Sequence, residues 1–127
     1  MKIVNLTQHS ASTEQHACGV FDLQGEASSN LKDYLTFDDL PRSGELVKRA
    51  TGIAAIAAEA LGTSPMPGSA MVGGAPYLMA PLESALRSLG ITPLYAFSKR
   101  ESAEAVAPDG TIKKVSVFRH LGFVEAS

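Results

Sequence analysis

The chain has 127 residues and a formal net charge of −2, from 11 basic and 13 acidic side chains. Hydrophobic residues make up 45% of the sequence, which is typical of a globular protein with a buried core and excludes a disordered chain. The balanced charge gives no support to binding of duplex nucleic acid or of a membrane surface. The one cysteine excludes an internal disulfide and is typical of a reducing cytoplasm.

No repeat, charge run or long linker divides the sequence, so we expect a single α/β domain over residues 1–127. The start, MKIVNLTQHSAS, lacks the apolar centre of a signal peptide. The most apolar segment, residues 53–61, is too short to span a bilayer and is interrupted by Glu59. We therefore expect a cytoplasmic protein with no membrane partner.

The first third of the chain predicts a strand and a short helix. Residues 2–6 (KIVNL) form an apolar run typical of a central strand. Ser12, followed by acidic and amide residues, predicts an N-cap for a helix over residues 13–18. Residues 20–23 fit a brief strand or an apolar anchor. The small polar residues at 24–30 predict a loop.

The middle of the chain predicts a long helix. Residues 31–40 alternate like a strand but also fit a helical turn, and both alternatives stay open. Ser43 predicts the N-cap of a helix that ends near Leu61, where Gly62 stops it. A rigid proline loop over residues 63–68 follows.

Residues 69–100 predict a βαβ unit. A strand over residues 70–72 ends at Gly73 and Gly74, and Pro76 opens an amphipathic helix. Gly90 closes that helix, and residues 91–97 form the next strand.

The last part of the chain predicts a β-hairpin. The turn at residues 108–110 (PDG) joins arms at 103–106 and 111–118. Apolar residues on both faces of the second arm predict burial by the core and by a second subunit, and Arg119 and His120 interrupt the apolar run. The predicted fold is α/β, with a Rossmann-like mainly parallel sheet, flanking helices and a C-terminal β-hairpin.

Three groups of residues are predicted at the carboxyl edge of this sheet, where open α/β folds bind ligands. Gly73, Gly74 and Ala75 would offer backbone N–H groups to an anion, although the glycines also fit a tight turn and nothing more. The second group, Ser98, Lys99 and Arg100, could bind a phosphate or could be only a solvated strand end. The third group, Thr7, Gln8 and His9, could bind a ligand or could be only a hydrogen-bonded loop.

The sequence predicts neither a metal site nor a cofactor. His9, His16 and His120 have no metal-ligand spacing. Cys18 lies in an apolar helical context, which does not fit a nucleophile.

The chain from KIVNLTQH through FRHLGFVE resembles a family of short bacterial and mobile-element proteins with no assigned function. In LTQHSASTEQ, VGGAP and LYAFSKR it is also similar to small CRISPR-associated Rossmann-fold (CARF-like) proteins and ring nucleases. That resemblance implies a homodimer that binds a cyclic oligoadenylate across its paired sheet edges. The matching positions are Thr7, Gln8, His9, Gly73, Gly74 and Ala75, with Ser98, Lys99 and Arg100 as basic support.

The function expected is therefore binding of a cyclic oligonucleotide or related phosphorylated ligand, with or without slow metal-independent cleavage. In cleavage, Arg100 or Lys99 would neutralise the phosphate and His9 would act as acid or base. The alternative is a non-enzymatic accessory or dimerisation protein, and a hydrolase or transferase of a phosphorylated small molecule would use the same edge. The sequence leaves open whether any reaction is catalysed.

Overall fold

A computed structural model of the chain describes residues 2–62 and 68–126. The predicted proline loop at 63–68 lies outside the described residues except at Gly68. The elements in chain order are β1 (Ile3–Asn5), α1 (Thr13–Ala17), β2 (Val20–Asp22), α2 (Gly25–Leu35), α3 (Ser43–Leu61), β3 (Ser69–Met71), α4 (Pro76–Ser88), β4 (Thr92–Val106) and β5 (Ile112–Glu125).

The strands form a five-stranded sheet in the order β2-β1-β3-β4-β5. The first four are parallel, and β5 is antiparallel to β4. This confirms the predicted α/β class, with a mainly parallel Rossmann-like sheet, flanking helices and a C-terminal hairpin. From β1 the chain moves to β2 on one side and returns to β3 on the other, so the strand order reverses between β1 and β3.

The two faces of the sheet bury different side chains because neighbouring residues of a strand point in opposite directions. Val4 and Ala70 belong to the large cluster that includes residues of α2, α3 and α4. Ile3, Val20 and Met71 form a smaller cluster on the other face, where Leu94 and Phe123 pack against them. Three helices therefore cover one face of the sheet.

Helices α3 and α4 follow the predicted spacing of apolar residues. In α3 the small side chains of Ala50, Ala54 and Ala57 are buried, which lets the helix lie close to its neighbours. Arg42, not Ser43, is its N-cap residue. The phenol of Tyr95 on β4 donates a 2.6 Å hydrogen bond to Glu83 Oε2 on α4, and burial together with this carboxylate raises the pKa of Tyr95 to about 12.

The predicted loop at residues 24–30 is wrong, because α2 occupies Gly25–Leu35. Its small polar residues lie outside the buried stripe that Leu31 and Leu35 form at a spacing of four residues. The composition of this segment is typical of a loop, but burial of Leu31 and Leu35 in the core stabilises a helix.

An arginine from α3 closes the C-terminal end of α2. Arg49 Nη1 donates hydrogen bonds to the main-chain oxygens of Asp33, Tyr34 and Thr36, at 3.3, 3.1 and 2.5 Å. The guanidinium carbon also lies 4.2 Å from the centroid of the Phe37 ring. Carbonyls at a helix end have no partner within the helix, so this side chain stabilises the end of α2.

The hairpin is present with its predicted turn, but both arms are longer than the sequence indicated. β4 has 15 residues and β5 has 14, and β5 continues through Arg119 and His120 rather than stopping there. The pairing register between β4 and β5 shifts between Phe97 and Ser98, and this irregularity lets the two strands stay paired through Arg119 and His120.

The predicted burial of the second arm by the core is also wrong. We call residues 97–106 and 112–120 the ribbon, since β3 pairs with β4 only at Thr92–Leu94. The ribbon exposes large apolar side chains, among them Val106 at 74% and Phe118 at 71%.

None of the helices in the described residues is long and apolar enough to cross a membrane.

Candidate functional site

A cleft of about 300 Å³ lies at the carboxyl ends of β1 and β3, where the strand order reverses. We call it the switch-point cleft. Its polar side chains come from the loop after β1 and from Gln15 of α1, and its apolar side chains come from the end of β3 with Val72 and from β4. The lining residues are Thr7, Gln8, His9, Ser10, Gln15, Met71, Val72, Gly73, Gly74 and Ala96.

The cleft brings together two segments that the sequence analysis expected at the same edge of the sheet, residues 7–9 and the glycine turn. A methyl group added at Gly73 would lie 3.3 Å from Thr7 Cγ2, so the loop after β1 packs directly on the glycine turn after β3. Gly74 has φ of +142°, a conformation that side chains disfavour. The backbone thus favours glycine at position 74, and at position 73 a larger residue would force Thr7 to shift by a few tenths of an ångström.

The loop after β1 is held by Asn5, which is only 4% exposed. Its Nδ2 donates to the main-chain oxygen of His9 and to Asp22 Oδ1, both at 2.7 Å. Its Oδ1 accepts from the Thr7 amide at 2.9 Å and from the Thr7 hydroxyl at 2.7 Å. All of the carboxamide's usual hydrogen-bonding positions are occupied, and the loop follows the shape that they impose.

Asp22, at the end of β2, extends this network. Its Oδ1 also accepts the Ala11 amide at 3.0 Å, and Oδ2 lies 3.6 Å from His16 Nε2. Desolvation raises the pKa of Asp22, but the hydrogen bonds from Asn5 and Ala11 and the charge of His16 outweigh it, so that the pKa lies below its ordinary value. His16 Nδ1 donates to Val20 O at 2.9 Å, since a carbonyl can only accept.

A smaller cavity of about 80 Å³ lies on the other side of the same loop. Asn5, Asp22, Ser28 and Lys32 are among the residues that line it. Thr7, Gln8, His9 and Ser10 line both cavities, so the loop after β1 separates them.

Helix α4 begins beside the cleft. Ala75 is the N-cap of α4 and Pro76 occupies the first turn, and no side chain caps this end in the described part of the chain. Pro76 has no N–H and the Leu78 N–H donates to Ala75 O at 3.0 Å, so this turn has fewer free donors than most helix starts, although the helix dipole still favours negative charge there. Ala75 itself does not line the cleft, whereas Gly74 before it does.

The predicted basic residues lie beyond the cleft. Ser98 and Arg100 share a strand face with Ala96, which lines the cleft, and Lys99 points to the opposite face. Four residues along a strand place Arg100 about 13 Å past Ala96. Its guanidinium carbon lies 5.7 Å from the Phe118 ring centroid.

Arg119 and His120, which the sequence left without a role, are placed on the ribbon. Arg119 Nε lies 3.8 Å from Glu101 Oε2. The His120 ring packs against Phe123 with a centroid distance of 4.8 Å. Both of its ring nitrogens are buried without a hydrogen-bond partner among the described residues.

The described residues contain no cluster of three or more His, Cys, Asp or Glu side chains that could hold a metal ion. Cys18 is exposed and does not line the cleft.

Sequence reasoning missed Asn5 and Asp22, which organise the loop at the site. Each is the last residue of a short apolar strand, in IVN and VFD. A polar residue that closes an apolar run on two successive strands was the signal that could have identified them.

A family model described as the Uncharacterized protein MJ1673 family matches residues 1–124. The comparisons with curated proteins and with solved structures find no match. The family match supports the resemblance to short proteins of no assigned function, and it gives no support to the resemblance to CARF-like proteins.

Proposed function

The chain belongs to the uncharacterized protein MJ1673 family, and we propose that it binds a phosphorylated ligand of the nucleotide class in the switch-point cleft. The observation that carries the proposal is the position of the cleft, at the carboxyl ends of β1 and β3 where the strand order reverses. Doubly wound sheets of this strand order bind ligands at the same crevice, because the loops there diverge to opposite faces.

The glycine turn supplies the anion end of the proposed site. Gly73 and Gly74 lack side chains that would hold a ligand away from the backbone, and they lead into the uncapped start of α4. Backbone N–H groups and the helix dipole at this point favour a phosphate.

The remaining lining suits the sugar and base of a nucleotide. Gln8, His9, Ser10 and Gln15 offer hydrogen-bonding groups, whereas the Thr7 hydroxyl is already bonded to Asn5 and His9. Met71, Val72 and Ala96 offer an apolar surface. A volume of about 300 Å³ is at the low end for ligand sites, which fits one nucleotide. A cyclic oligonucleotide would therefore extend beyond one cleft and engage the clefts of two copies.

Slow cleavage of such a ring is the second candidate, and the position of His9 in the cleft lining favours it. The ribose 2′-oxygen would attack the adjacent phosphorus, forming a 2′,3′-cyclic phosphate and breaking the bond to the 5′-oxygen. His9 would accept the 2′-hydroxyl proton, and the 5′-oxygen would take up a proton on leaving. Arg100 would need a bent ligand or a moved side chain to reach the phosphate, since it lies about 13 Å past Ala96.

Titration calorimetry with cyclic tetraadenylate, cyclic hexaadenylate and AMP tests the binding proposal. We expect heat of binding with at least one of the three. Gly73→Ala should weaken binding about tenfold or more, because the added methyl group narrows the junction with Thr7. Gly44→Ala is the matched control, because an added methyl group there meets nothing within 4 Å.

The three ligands separate the alternatives. Heat with AMP alone would identify a mononucleotide site, and the cyclic oligonucleotide would be ruled out. If none of the three releases heat with the folded protein, the proposed function is wrong. If a ring binds, loss of cleavage in His9→Ala with binding retained would assign the acid or base role to His9.

A further inference from the structure

The outer part of β4 has an unpaired edge. β3 contributes partners only to Thr92, Pro93 and Leu94, whereas β5 pairs with β4 as far as Val106. In the described residues no strand lies beside residues 97–106 on the side away from β5. A two-stranded ribbon is marginally stable alone in water, and an open edge is a template for pairing with another strand.

The charges along this edge are arranged so that the strand complements itself. Two cations, Lys99 and Arg100, precede two carboxylates, Glu101 and Glu104. When two copies of such a strand run antiparallel, the basic end of each meets the acidic end of the other. The segment 97–106 thus carries a pattern that recognises a second copy of itself.

We propose that the β4 edge pairs with the same edge of a second copy, antiparallel and with Ser102 on the two-fold axis. In this register Arg100 lies opposite Glu104 of the partner subunit, and the symmetry makes the same pair twice. Moving the axis to Glu101 would set two carboxylates opposite each other. Moving it to Ala103 would set Arg100 opposite Val106. Moving it to Arg100 would pair Lys99 with Glu101 but set the two Arg100 side chains opposite each other, so the Ser102 register pairs opposite charges without facing like charges.

The pairing of β4 with β5 inside each copy adds one more residue on either side of the Arg100 and Glu104 pair. Within one chain Arg100 pairs with Phe118 and Glu104 pairs with Lys114. Across the proposed four-stranded sheet, a row reads Phe118, Arg100, Glu104 of the partner subunit and Lys114 of the partner subunit. Each carboxylate then lies between two cations, which is favourable for cross-strand pairs.

The free edge of β5 does not offer this complementarity. In residues 112–120 it carries Lys113, Lys114 and Arg119 and no carboxylate. Antiparallel pairing of this segment with itself would bring only positive charges together, and lysines on an edge strand oppose such pairing. The charge pattern therefore selects the β4 edge.

The dimer would add a wall to the switch-point cleft. With Ser102 on the axis, Val106 of the partner subunit, the last residue of its β4, lies level with Ser98, two residues from Ala96, which lines the cleft. The turn of each copy would border the cleft of the other. The pairing itself rests on the ribbon and does not depend on the proposed ligand.

A disulfide across the axis tests the register. Residues directly opposite in an antiparallel pair have Cα atoms about 4.5–5.5 Å apart, within the range that a disulfide bridges. In a Cys18→Ser background, Ser102→Cys should form a covalent dimer on mild oxidation. Ser116→Cys is the matched control, since Ser116 faces Ser102 across the hairpin. Two copies of Ser116 would lie about 14 Å apart, three strand spacings, and should not cross-link.

Charge reversal tests the pairing without a cysteine. Arg100→Glu and Glu104→Arg should each raise the dimer dissociation constant about tenfold or more in sedimentation velocity, because like charges then face each other. The double variant restores opposite charges and should return the constant to within about threefold of the wild-type value. Lys113→Glu reverses a positive charge, as Arg100→Glu does, but on β5, and it should leave the dimer intact.

Three results would overturn the proposal. These are a wild-type protein that stays monomeric at every concentration measured, a double variant no better than the single variants, and cross-linking at position 116 in place of 102. All three readouts are made without ligand, so they are distinct from failure of the proposed function.

Discussion

Asn5 Nδ2 donates a 2.7 Å hydrogen bond to Asp22 Oδ1, and this bond joins the carboxyl ends of two neighbouring parallel strands. The same carboxamide also fixes Thr7 and the main-chain oxygen of His9. One side chain therefore links the sheet to the loop that separates the two cavities.

Replacing Asn5 by aspartate should destabilise the protein by about 3 kcal/mol at pH 7. The substitution keeps the size of the side chain, but it turns a donor into a carboxylate that faces Asp22 and a carbonyl oxygen. Urea unfolding measures the free energy. Asn30→Asp, at an exposed position of α2, is the control and should change stability by less than about 0.5 kcal/mol. Equal effects of the two changes would contradict the role of the network.

Asp22 should make stability depend on pH in the acid range. Its pKa is lowered in the folded state, so its contribution is present above the unfolded pKa of about 4 and is lost as pH falls through the folded value. The difference in unfolding free energy between wild type and Asp22→Asn should be largest at pH 7 and shrink below pH 4. Asp38→Asn removes the same charge from an exposed loop and is the control for Asp22→Asn. A difference for Asp22→Asn that stays constant from pH 7 to pH 3 would show this account to be wrong.

Arg49→Met should cost about 2 kcal/mol of unfolding free energy. Methionine keeps most of the apolar stem but leaves the carbonyls of Asp33, Tyr34 and Thr36 without their shared donor. Lys48→Met, one residue earlier on α3, removes a cation at an exposed position and should have little effect. Arg49→Lys should fall between wild type and Arg49→Met, because an ammonium cannot reproduce the planar contact with Phe37.

Gly52→Ala should lower stability although alanine is the better helix former. A Cβ at position 52 would lie 2.5 Å from Tyr34 Cζ, so the ring must move. Overpacking of this kind costs about 1–3 kcal/mol, against roughly 1 kcal/mol gained from propensity. In a Tyr34→Ala background the ring is absent, and Gly52→Ala should then be stabilising. If it is stabilising in the wild-type protein as well, the contact with Tyr34 carries no cost.

The elements that could be predicted are those whose ends carry their own chemical signals. Ser12 and Gln15 form the reciprocal capping box at the start of α1, Gly62 ends α3, and Pro76 opens α4. These signals are local and do not depend on the rest of the fold.

The errors arose where contact with distant residues decides the structure. α2 carries a loop-like composition and no side-chain cap at its start, and its helix depends on burial of Leu31 and Leu35. The shared sheet edge of Thr7 and Gly73 was expected, but their direct contact depends on β1 and β3 being neighbours, which short apolar runs do not specify. The full length of β4 required its partner strand, since residues 98–102 are polar and charged and give no strand signal alone.

The ribbon lies outside both hydrophobic clusters, so it can open as a separate cooperative unit while the core stays folded. In a monomer, the amides of residues 97–106 would exchange their hydrogens with solvent through that local opening. In the proposed dimer, the outward-pointing amides gain partners, and their protection rises with protein concentration. Local stability of one strand would then report the amount of protein present, while amides in α3 and β1 would not respond.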